Sequence, residues 1–418
     1  MESQKELTIG LFGFGVVGEG LYKVLQQTPS LQATIRKVCI KDPGKKRDAP
    51  ESLFTTHHDE LLSDPDINVI VEVINEADAA FEIVSAAMKN GKDVVSASKK
   101  MIAENLPALL RLQQETGRSM LYESAACASI PVIRNLEEYY DNDLLHSIRA
   151  IVNGSTNFIL TKMFEEGIDF KKALLLAQQL GFAESDPSLD VEGYDAVNKW
   201  SFLLTHAYGI VESPSEILFN GIQNIHPEDA AVAKEKSQQI KLVAQARKLQ
   251  NGKVAAFVLP QFVKPNDHLA FVKDEYNGIE IESGFADKQF FYGKGAGSFP
   301  TASAVLSDIS ALRYQYKYEY KKLYHHKPAE LSRDIYLRTY VSFDDLSLIP
   351  RDRFEWLEEW HAQEARKYLV GVIALRELKS STWWKENNTS LILSPDPVIE
   401  DIELRKLKKK SLELAGLI

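Results

Sequence analysis

The feature that most restricts the fold of this chain is a glycine pattern near its N-terminus. Residues 13–18 read Gly-Phe-Gly-Val-Val-Gly, directly after an apolar run at 7–12 and at the start of a segment with helical periodicity. In a strand–turn–helix unit, the first glycine permits a tight turn, the second lets the backbone approach a pyrophosphate and the third lets the helix pack on the strand. The pattern predicts a dinucleotide site made by Gly13, Phe14, Gly15, Val16, Val17 and Gly18. A glycine-rich turn in another kind of α/β protein is the alternative.

Short apolar segments alternate with amphipathic ones through the first part of the chain. Strands are predicted at 7–12, 35–40, 66–74, 92–98 and 118–124, with helices between them. This alternation is typical of a doubly wound parallel sheet. We therefore predict an α/β fold with a dinucleotide-binding Rossmann domain over residues 1–145, to which a helix at about 300–318 returns.

The pattern changes after about residue 145. A strand and three helices come first, and short alternating strands follow within 253–295, which predicts a central α+β domain over 146–299. Ser155 or Thr156 is the expected N-cap of the first of these helices. The Tyr- and Lys-rich residues 313–330 are expected to be a linker or the tail of a helix.

The last ninety or so residues form a further segment with its own pattern. Residues 330–418 predict a strand, a helix at 352–367 and two more strands. This order is enough for a small C-terminal α+β module.

Composition excludes some classes of partner. With 49 basic and 59 acidic residues, the net charge is −10, which argues against nonspecific nucleic-acid binding and against anionic membranes. No stretch approaches the roughly 20 apolar residues of a membrane helix. The two cysteines, Cys39 and Cys127, form no CxxC pair and fit a reducing compartment. With no signal-peptide pattern at the N-terminus, a cytoplasmic protein without nucleic-acid or membrane partners is expected.

The end of the second predicted strand bears on the choice of cofactor. Lys41 and Asp42 stand there, followed by the basic residues 45–47. An acid at this place bonds the adenosine ribose and favours NAD, whereas basic residues accommodate the extra phosphate of NADP. Lys41 and the basic residues favour NADP over NAD, and a solvated loop is the alternative reading of the cluster.

An acidic loop, residues 182–193, separates two predicted helices, and Asp195 and Lys199 follow it. Four acids fall in this loop, and Asp195 and Lys199 are spaced i,i+4, which places them on one face of the next helix. Carboxylates suit a substrate with an α-amino group, and a desolvated lysine suits proton transfer at a hydroxyl. The alternative is a solvated loop followed by a surface ion pair.

Six segments in order resemble the homoserine dehydrogenase family, and together they span roughly residues 7–312. They read GLFGFGVVGEG, VIVEVI with GKDVVSASKKMIA, YESAACASIP, IVNGSTNFILTKM, LGFAESDPSLDVEGYDAVNK and GKGAGSFPTASAVLSDI. The resemblance implies a small-molecule substrate, with homoserine and aspartate semialdehyde interconverted by NADP or NAD. It also implies that residues 146–299 carry the substrate and the contacts of a homodimer or higher homo-oligomer.

The resemblance also assigns roles to residues. Glu184 and Asp195 would bind homoserine, Lys99 and Lys199 would flank the reacting oxygen with Lys199 as acid/base, and Asp190 would be a further active-site acid. In addition to the glycine pattern and Lys41, the implied cofactor contacts are Asn75, Lys99 and Gly297. A monovalent cation, Na⁺ or K⁺, would be held near Glu123, Ala126, Ala128 and Ile130, partly by backbone carbonyls.

Three departures from the family pattern put details of this assignment in question. Ser96-Ala97-Ser98-Lys99 stands where the family reads TANK, which affects cofactor contacts. Residues 126–129, Ala-Cys-Ala-Ser, replace a glycine-rich turn, and added Cβ atoms restrict φ in the cation loop. The segment after the third predicted strand, VEVINEADA, lacks the family's usual glycine pair.

Two other functions compete with this interpretation. An aspartate semialdehyde dehydrogenase would use a cysteine nucleophile, but the apolar neighbours of Cys127 indicate a buried, inert thiol. A noncatalytic NADP sensor would not need Glu184, Asp195, Lys99 and Lys199 together. The histidine pairs 57–58 and 325–326 are expected to be surface residues rather than metal ligands.

Many relatives carry a C-terminal ACT domain that binds threonine and lowers activity. Here the turn at 342–350 has no glycine, and Phe354, Trp356, Leu357 and Trp360 follow it. Aromatic residues at this density more often fill a core or an interface than a small polar pocket. An ACT-like module that has lost threonine control and serves packing or oligomerisation is therefore predicted.

Overall fold

The structure, a computed structural model, describes residues 6–142, 144–361, 366–386 and 388–414, with side chains up to residue 409. The chain folds into two units. The first consists of Met1–Asn142, Asn198–Pro214 and Gly293–Pro328, and the second of Asp143–Val197, Ser215–Tyr292 and Ala329–Ile418.

Within the described ranges the chain forms strands and helices in both units. The strands are β1 Leu7–Phe12, β2 Ala33–Cys39, β3 Phe54–Thr55, β4 Val69–Glu72, β5 Asp93–Ser96, β6 Met120–Leu121, β7 Leu145–Ile151, β8 Leu218–Phe219, β9 Gln239–Lys248, β10 Val254–Val263, β11 Tyr276–Ser283, β12 Asp287–Lys294, β13 Tyr336–Phe343, β14 Phe354–His361, β15 Lys367–Ala374 and β16 Ser390–Ile399. The α-helices are α1 Val16–Gln26, α2 Asp59–Leu62, α3 Ala77–Lys89, α4 Lys99–Thr116, α5 Glu123–Cys127, α6 Val132–Arg134, α7 Gly154–Glu166, α8 Phe170–Gln179, α9 Ser188–Val191, α10 Tyr194–Tyr208, α11 Pro227–Glu235, α12 Ser298–Leu312, α13 Lys321–Tyr324, α14 Leu375–Ser380 and α15 Asp401–Leu414.

The first unit is built on a six-stranded sheet in the order β3-β2-β1-β4-β5-β6. Its described strand pairs are all parallel. The doubly wound sheet predicted from the sequence is therefore confirmed, and only the two-residue strand β3 was not predicted. The strand order reverses between β1 and β4, and ligands of such sheets bind at the carboxyl ends of the strands at this point.

Helix α12 packs on α1 within the first unit. Gly20 of α1 allows this approach, because a Cβ there would lie 2.5 Å from the Ser298 hydroxyl oxygen. The Tyr-rich residues after α12 are not an extended linker. Tyr318 and Tyr320 are buried, and the Tyr318 carbonyl accepts a hydrogen bond from the Gln113 amide at 2.7 Å. The segment is tied to the first unit by these contacts, which its composition did not indicate.

The second unit contains one mixed sheet in the order β12-β11-β7-β9-β10-β16-β13-β15-β14, with β8 on β10. Several parts of this unit differ from the sequence prediction. Strand β9 and helix α11 were not predicted, although β9 pairs with β10 over its whole length. The run at 269–272 was predicted as a strand, but His268–Phe271 is a 3-10 turn.

The helix predicted at 352–367 is wrong where the structure describes it. Residues 354–361 form β14, antiparallel to β15, and residues 362–365 lie outside the described residues. The pairing with β15 shifts register between Phe354 and Trp356 and again between Leu357 and Glu359. Each irregularity breaks the period of two, so the apolar spacing resembles that of a helix although aromatic residues favour strands.

Residues after 330 share a core with the rest of the second unit. Leu218 and Phe257 of the central strands lie in one buried cluster with Leu337, Phe343 and Trp384. The indole N–H of Trp384 donates to the Leu378 carbonyl at 2.9 Å. The core expected from the aromatic residues is confirmed only in part: Phe354 is buried in this cluster and Trp356 is half-buried, whereas Leu357 and Trp360 are exposed.

Candidate active site

The phosphate loop, residues 13–18, joins β1 to α1 at the carboxyl end of the first unit's sheet. Gly13 has a φ of +97°, and a Cβ there would lie 3.0 Å from the Val73 carbonyl oxygen. A Cβ on Gly18 would overlap the Gly13 carbonyl oxygen. Gly15 caps α1, and a Cβ there would meet no atom within 4 Å. Packing thus requires glycine at positions 13 and 18, whereas the space beside Gly15 is open to an anion at the helix N-terminus.

The other residues of the phosphate loop have unequal exposure. Phe14 is buried, with its ring 5.0 Å from that of Phe54. Val16 is exposed and Val17 is half-buried at the start of α1. Phe14 therefore anchors the loop, while the backbone of the loop faces outward.

The end of β2 carries opposite charges close together. The Lys41 ammonium, 90% exposed, lies 3.0 Å from a carboxylate oxygen of Glu76. Asp42 accepts a hydrogen bond from the Gly44 N–H at 2.8 Å, and the Arg47 guanidinium lies 5.4 Å from the centre of the Phe54 ring. Glu76 partly offsets the charge of Lys41. Sequence reasoning noted the lost glycine pair but not this ion pair.

Three further residues expected at the cofactor lie on different elements of the first unit. Asn75 is exposed in the loop after β4, and Lys99 is exposed at the first residue of α4, after β5. Gly297 caps α12 with a φ of +115°, which a side chain rarely adopts. Asn75 and Lys99 both follow the carboxyl ends of parallel strands, the edge at which dinucleotides bind.

The residues expected to hold a cation lie in the buried segment that contains α5. The Glu123 carboxylate accepts the N–H groups of Ile133 and Arg134 at 2.7 and 2.9 Å. Burial, with Asp308 as a second cause, raises the pKa of Glu123 to about 7. The Ile130 carbonyl accepts the Val132 N–H at 2.9 Å. Glu123 and Ile130 thus accept hydrogen bonds within the protein, and we route no step of the reaction through a cation.

Ala126 and Ala128, the other two residues of this expected set, are also buried. Ala128 takes a φ of +42°, where a Cβ is strained. The strain falls in the segment where the family has a glycine-rich turn. The Cβ of Ala128 therefore does not keep this loop at negative φ, contrary to the restriction expected from the added Cβ atoms.

One asparagine brings two predicted site acids together in the second unit. The Asn153 side-chain amide donates to Asp190 at 2.7 Å and to Asp195 at 2.8 Å. Its oxygen accepts the Thr156 N–H at 2.9 Å. Asp190 comes from α9 at the end of the acidic loop, and Asp195 from the first turn of α10. Sequence reasoning missed Asn153 as a site residue.

The backbone around Asn153 explains its position. Asn153 is the N-cap of α7, so the predicted caps, Ser155 and Thr156, are wrong. A Cβ on Gly154 would overlap the Glu275 carbonyl oxygen, so the next residue must be glycine. An asparagine followed by glycine, two hydroxyl residues and an apolar run is an N-cap signal that could have identified it.

Helix α10 carries Asp195 and Lys199 one turn apart. Both are buried, each with 5% of its surface exposed. The helix starts after Gly193, whose φ of +88° and close approach to the Asn220 carbonyl exclude a side chain. Asp195 belongs to the second unit and Lys199 to the first, and one continuous helix contains both.

Glu184 is placed differently from the two aspartates. It is exposed in the acidic loop, and its backbone carbonyl accepts a hydrogen bond from the Gln178 amide at 2.9 Å. The side chain of Asn153 thus holds Asp190 and Asp195 close together, whereas Glu184 is exposed at the surface of its own unit.

Other candidate chemistries find little support in the described residues. Cys127 is fully buried, as its neighbours predicted, so a substrate has no access to its thiol. Both histidine pairs are exposed, and in the described ranges no group of three or more His, Cys, Asp or Glu side chains could hold a metal ion. Every described helix is too short or too polar to cross a bilayer.

Comparison with known proteins joins these observations to a family. A family model described as homoserine dehydrogenase matches residues 131–310, and one described as its NAD-binding domain matches residues 13–123. The Bacillus subtilis homoserine dehydrogenase is 35% identical over 317 residues, which cover 74% of this chain and 73% of that protein.

Solved structures agree with the sequence matches. A homoserine dehydrogenase from Thiobacillus denitrificans superposes with a TM-score of 0.82 at 25% identity, over 93% of this chain and 98% of that one. A hyperthermophilic archaeal homoserine dehydrogenase mutant, solved with NADPH, has a TM-score of 0.64 at 26% identity, over 75% of this chain and 100% of that one. The chain therefore belongs to the homoserine dehydrogenase family, and it is an NAD(P)-dependent oxidoreductase acting on the CH–OH group of homoserine.

Proposed function

We propose that the carboxylates gathered by Asn153 hold the amino group of homoserine during its interconversion with aspartate semialdehyde. The observation that supports this most is the double donation from one amide to Asp190 and Asp195, at 2.7 and 2.8 Å. The amide is neutral, so it positions the two carboxylates without cancelling their charge. An ammonium group is the complement of such a pair, because buried carboxylates are stabilised by opposite charge.

Lys199 is the group that we assign to the hydroxyl proton. It follows Asp195 by four residues of α10, a rise of about 6 Å. The amino nitrogen and hydroxyl oxygen of homoserine are separated by four bonds, a comparable span. In the forward direction Lys199 takes the hydroxyl proton as the carbon is oxidised, and in reverse it returns that proton to the oxygen. Bound nicotinamide dinucleotide supplies the hydride chemistry.

Lys99 and Glu184 complete the proposed set of residues. Lys99 is assigned to the same reacting oxygen, from the N-terminus of α4. Glu184 is assigned to the amino group with Asp195, although it is exposed in its own unit. These two roles are supported by the motifs around the residues rather than by their contacts.

A substrate without the amino group tests the carboxylate assignment. We expect the wild-type enzyme to oxidise homoserine far more efficiently than 4-hydroxybutyrate. Asp195→Asn and Glu184→Gln should each raise the KM for homoserine but not the KM for 4-hydroxybutyrate. The ratio of the two kcat/KM values should therefore become smaller. Asp186→Asn is the control, because Asp186 is exposed in the same loop and its described hydrogen bonds are to the nearby Ser188. An unchanged ratio in both site variants would contradict the assignment.

The cofactor preference is a second part of the proposal. We propose that Lys41 engages the 2′-phosphate, so that NADPH is used more efficiently than NADH. The exposure of Lys41 and the neighbouring basic residues 45–47 support this, and the contact with Glu76 opposes it. Lys41→Ala should erode the ratio of the two kcat/KM values. A strong wild-type preference for NADH would show that Asp42 governs the site.

Four further properties belong to the proposal. We expect a homodimer, testable by light scattering, and a cytoplasmic location, which the two buried cysteines, both in the thiol form, support. Dependence on Na⁺ or K⁺ would show as activity lost when choline replaces these ions.

The C-terminal residues should not confer threonine control, so millimolar threonine should leave activity unchanged. Strong inhibition would show that the turn at 342–350 does bind an amino acid.

A further inference from the structure

The last residue of β4, Glu72, is a buried carboxylate that the proposed reaction does not use. None of its surface is exposed. One carboxylate oxygen accepts the Ile74 N–H at 2.7 Å, and the other accepts the Ser96 hydroxyl at 2.6 Å. Its backbone carbonyl also accepts the Ala97 N–H at 3.0 Å. Glu72 is therefore bonded to the segments that follow both β4 and β5.

The bond to Ser96 continues towards Lys99. The Ser96 hydroxyl oxygen accepts the Ser98 N–H at 3.1 Å, and both serines are buried. Ser98 is the N-cap of α4, and Lys99 is the first residue of that helix. A line of hydrogen bonds thus runs from Glu72 through Ser96 to the residue immediately before Lys99.

The bond to Ile74 continues towards the phosphate loop and Asn75. A Cβ on Gly13 would lie 3.1 Å from a methyl group of Ile74, so the loop packs directly on this residue. Asn75 is the next residue along the chain. One carboxylate is therefore connected to the three segments of the first unit that carry Gly13, Asn75 and Lys99.

A carboxylate in this position has an energetic cost. Burial raises the pKa of Glu72 to about 7, against the opposing effects of its bonds to Ser96 and Ile74. Buried charged groups contribute little to stability compared with apolar side chains of similar size. Two acceptor oxygens fixed at a set spacing can hold two separate backbone segments in register, and an apolar side chain cannot.

We propose that Glu72 is a positioning residue that holds the loops after β4 and β5 in register, so that Asn75 and Lys99 meet the nicotinamide dinucleotide correctly. It acts through Ser96 and Ile74 and touches neither cofactor nor substrate. This inference rests on the cofactor roles proposed above for Asn75 and Lys99.

Ser96 provides the milder test, because its substitution leaves the buried carboxylate in place. Ser96→Ala removes the donor to Glu72 and the acceptor for Ser98. We expect the Kd for NADPH, measured by fluorescence without substrate, to rise about tenfold, which corresponds to about 1.4 kcal/mol. The KM for homoserine at saturating cofactor should change less than the Kd. Ser96→Thr keeps the hydroxyl and should restore binding.

Ser85→Ala is the matched control, because Ser85 lies on α3 of the same unit and its buried hydroxyl makes no hydrogen bond in the structure. A similar loss in this control would show that a general loosening of the unit, rather than the line of bonds, weakens NADPH binding. That result would overturn the proposal.

A double-mutant cycle tests whether Glu72 and Ser96 act together. Glu72→Met and Ser96→Ala should have less than additive effects on the Kd for NADPH, because each removes the hydrogen bond between Glu72 and Ser96. Additive effects would overturn the proposal. Should Glu72→Met fail to fold, the comparison of Ser96→Ala with Ser96→Thr decides, and equal Kd values for NADPH would overturn the proposal.

Lys99→Ala and Asn75→Ala separate this inference from the proposed roles on which it rests. If these variants weaken NADPH binding while Ser96→Ala does not, the positioning role fails and the cofactor roles stand. If neither affects NADPH binding or turnover, the cofactor roles fail and the positioning role fails with them. The assignment of Asp195 to the amino group is independent of both results, since NADPH binding is measured without homoserine.

Discussion

The phosphate loop of the first unit and the acidic loop of the second hold their groups by different means. The phosphate loop depends on backbone geometry, with Gly13 at a φ of +97° and Gly18 too close to the Gly13 carbonyl for any side chain. The acidic loop depends on one side chain, since Asn153 connects Asp190 and Asp195 across 37 and 42 residues of sequence. A constraint on the local backbone restricts the residue types within a short segment, so it is visible as a sequence pattern. A contact between side chains that are far apart in the sequence leaves no such pattern.

This comparison has a functional consequence. The phosphate loop is proposed to bind the part of the cofactor that does not react. The carboxylates held by Asn153 are proposed to orient the substrate beside the proton-transfer lysine. Substitutions in the two regions should therefore separate cofactor affinity, substrate affinity and turnover.

Lys199→Ala should have the largest effect. Loss of proton transfer should lower kcat by about 10²–10⁴-fold, while the Kd for NADPH stays close to that of the wild type. Steady-state rates and fluorescence titration measure the two quantities. Lys171→Ala is a suitable control, because Lys171 is an exposed lysine of α8. Wild-type turnover in Lys199→Ala would remove this residue from the mechanism.

Asn153 should show the next largest effect, on the KM for homoserine. Asn153→Asp keeps the acceptor for the Thr156 N–H but places a third carboxylate against Asp190 and Asp195. We expect the KM to rise about 30-fold or more, because loss of one partner from a buried charged contact costs about 2 kcal/mol or more.

Comparison of Asn153→Ala with Asn153→Asp distinguishes the cap from the contact with the acids. The alanine variant removes both, so it should raise the KM and also lower the free energy of unfolding by about 1 kcal/mol, the usual value of an N-cap. An unchanged KM in both Asn153 variants would mean that the phosphate loop and the acidic loop do not differ in the way described.

Alanine substitutions at two glycines of the phosphate loop should differ in their effects on stability. Gly15→Ala should fold with wild-type stability, because a Cβ meets no protein atom, yet raise the Kd for NADPH about tenfold where the backbone must approach a phosphate. Gly18→Ala should also lower the free energy of unfolding, by about 1–3 kcal/mol, through overlap with the Gly13 carbonyl. Equal effects of the two variants on stability would contradict this distinction.

The smallest effect concerns a buried acid in the first unit. Because burial raises the pKa of Glu123 from 4.5 to about 7, the folded protein binds this proton more tightly than the unfolded chain does. The free energy of unfolding should therefore fall as pH rises from about 4.5 to about 7, by at most about 3 kcal/mol from this group. Urea titrations at several pH values measure the slope.

Glu123→Gln should flatten part of that slope, and the exposed Glu82→Gln should not. Glu72 titrates in the same range and accounts for a second part. A slope identical in wild type and Glu123→Gln would show that Glu123 is ionised well below pH 7 in the folded protein, as a bound cation would require.

Sequence reasoning succeeded where the physical constraint is local. Strand β1 was predicted with its observed bounds, 7–12, because an apolar run and a glycine turn are adjacent there. The helix predicted at 352–367 failed for a tertiary reason. Strand β14 gains its conformation by pairing with β15, and two register shifts in that pairing conceal the alternation that would identify a strand.

By itself the sequence determined the parallel sheet, the phosphate loop and the family, because glycine geometry, apolar period and motif order are all encoded along the chain. Only the tertiary structure decided which side chains meet. Asn153 joins Asp190 to Asp195, and Glu72 joins Ser96 to Ile74, through hydrogen bonds between different elements. Such bonds depend on distances of about 3 Å that exist only after the elements have packed.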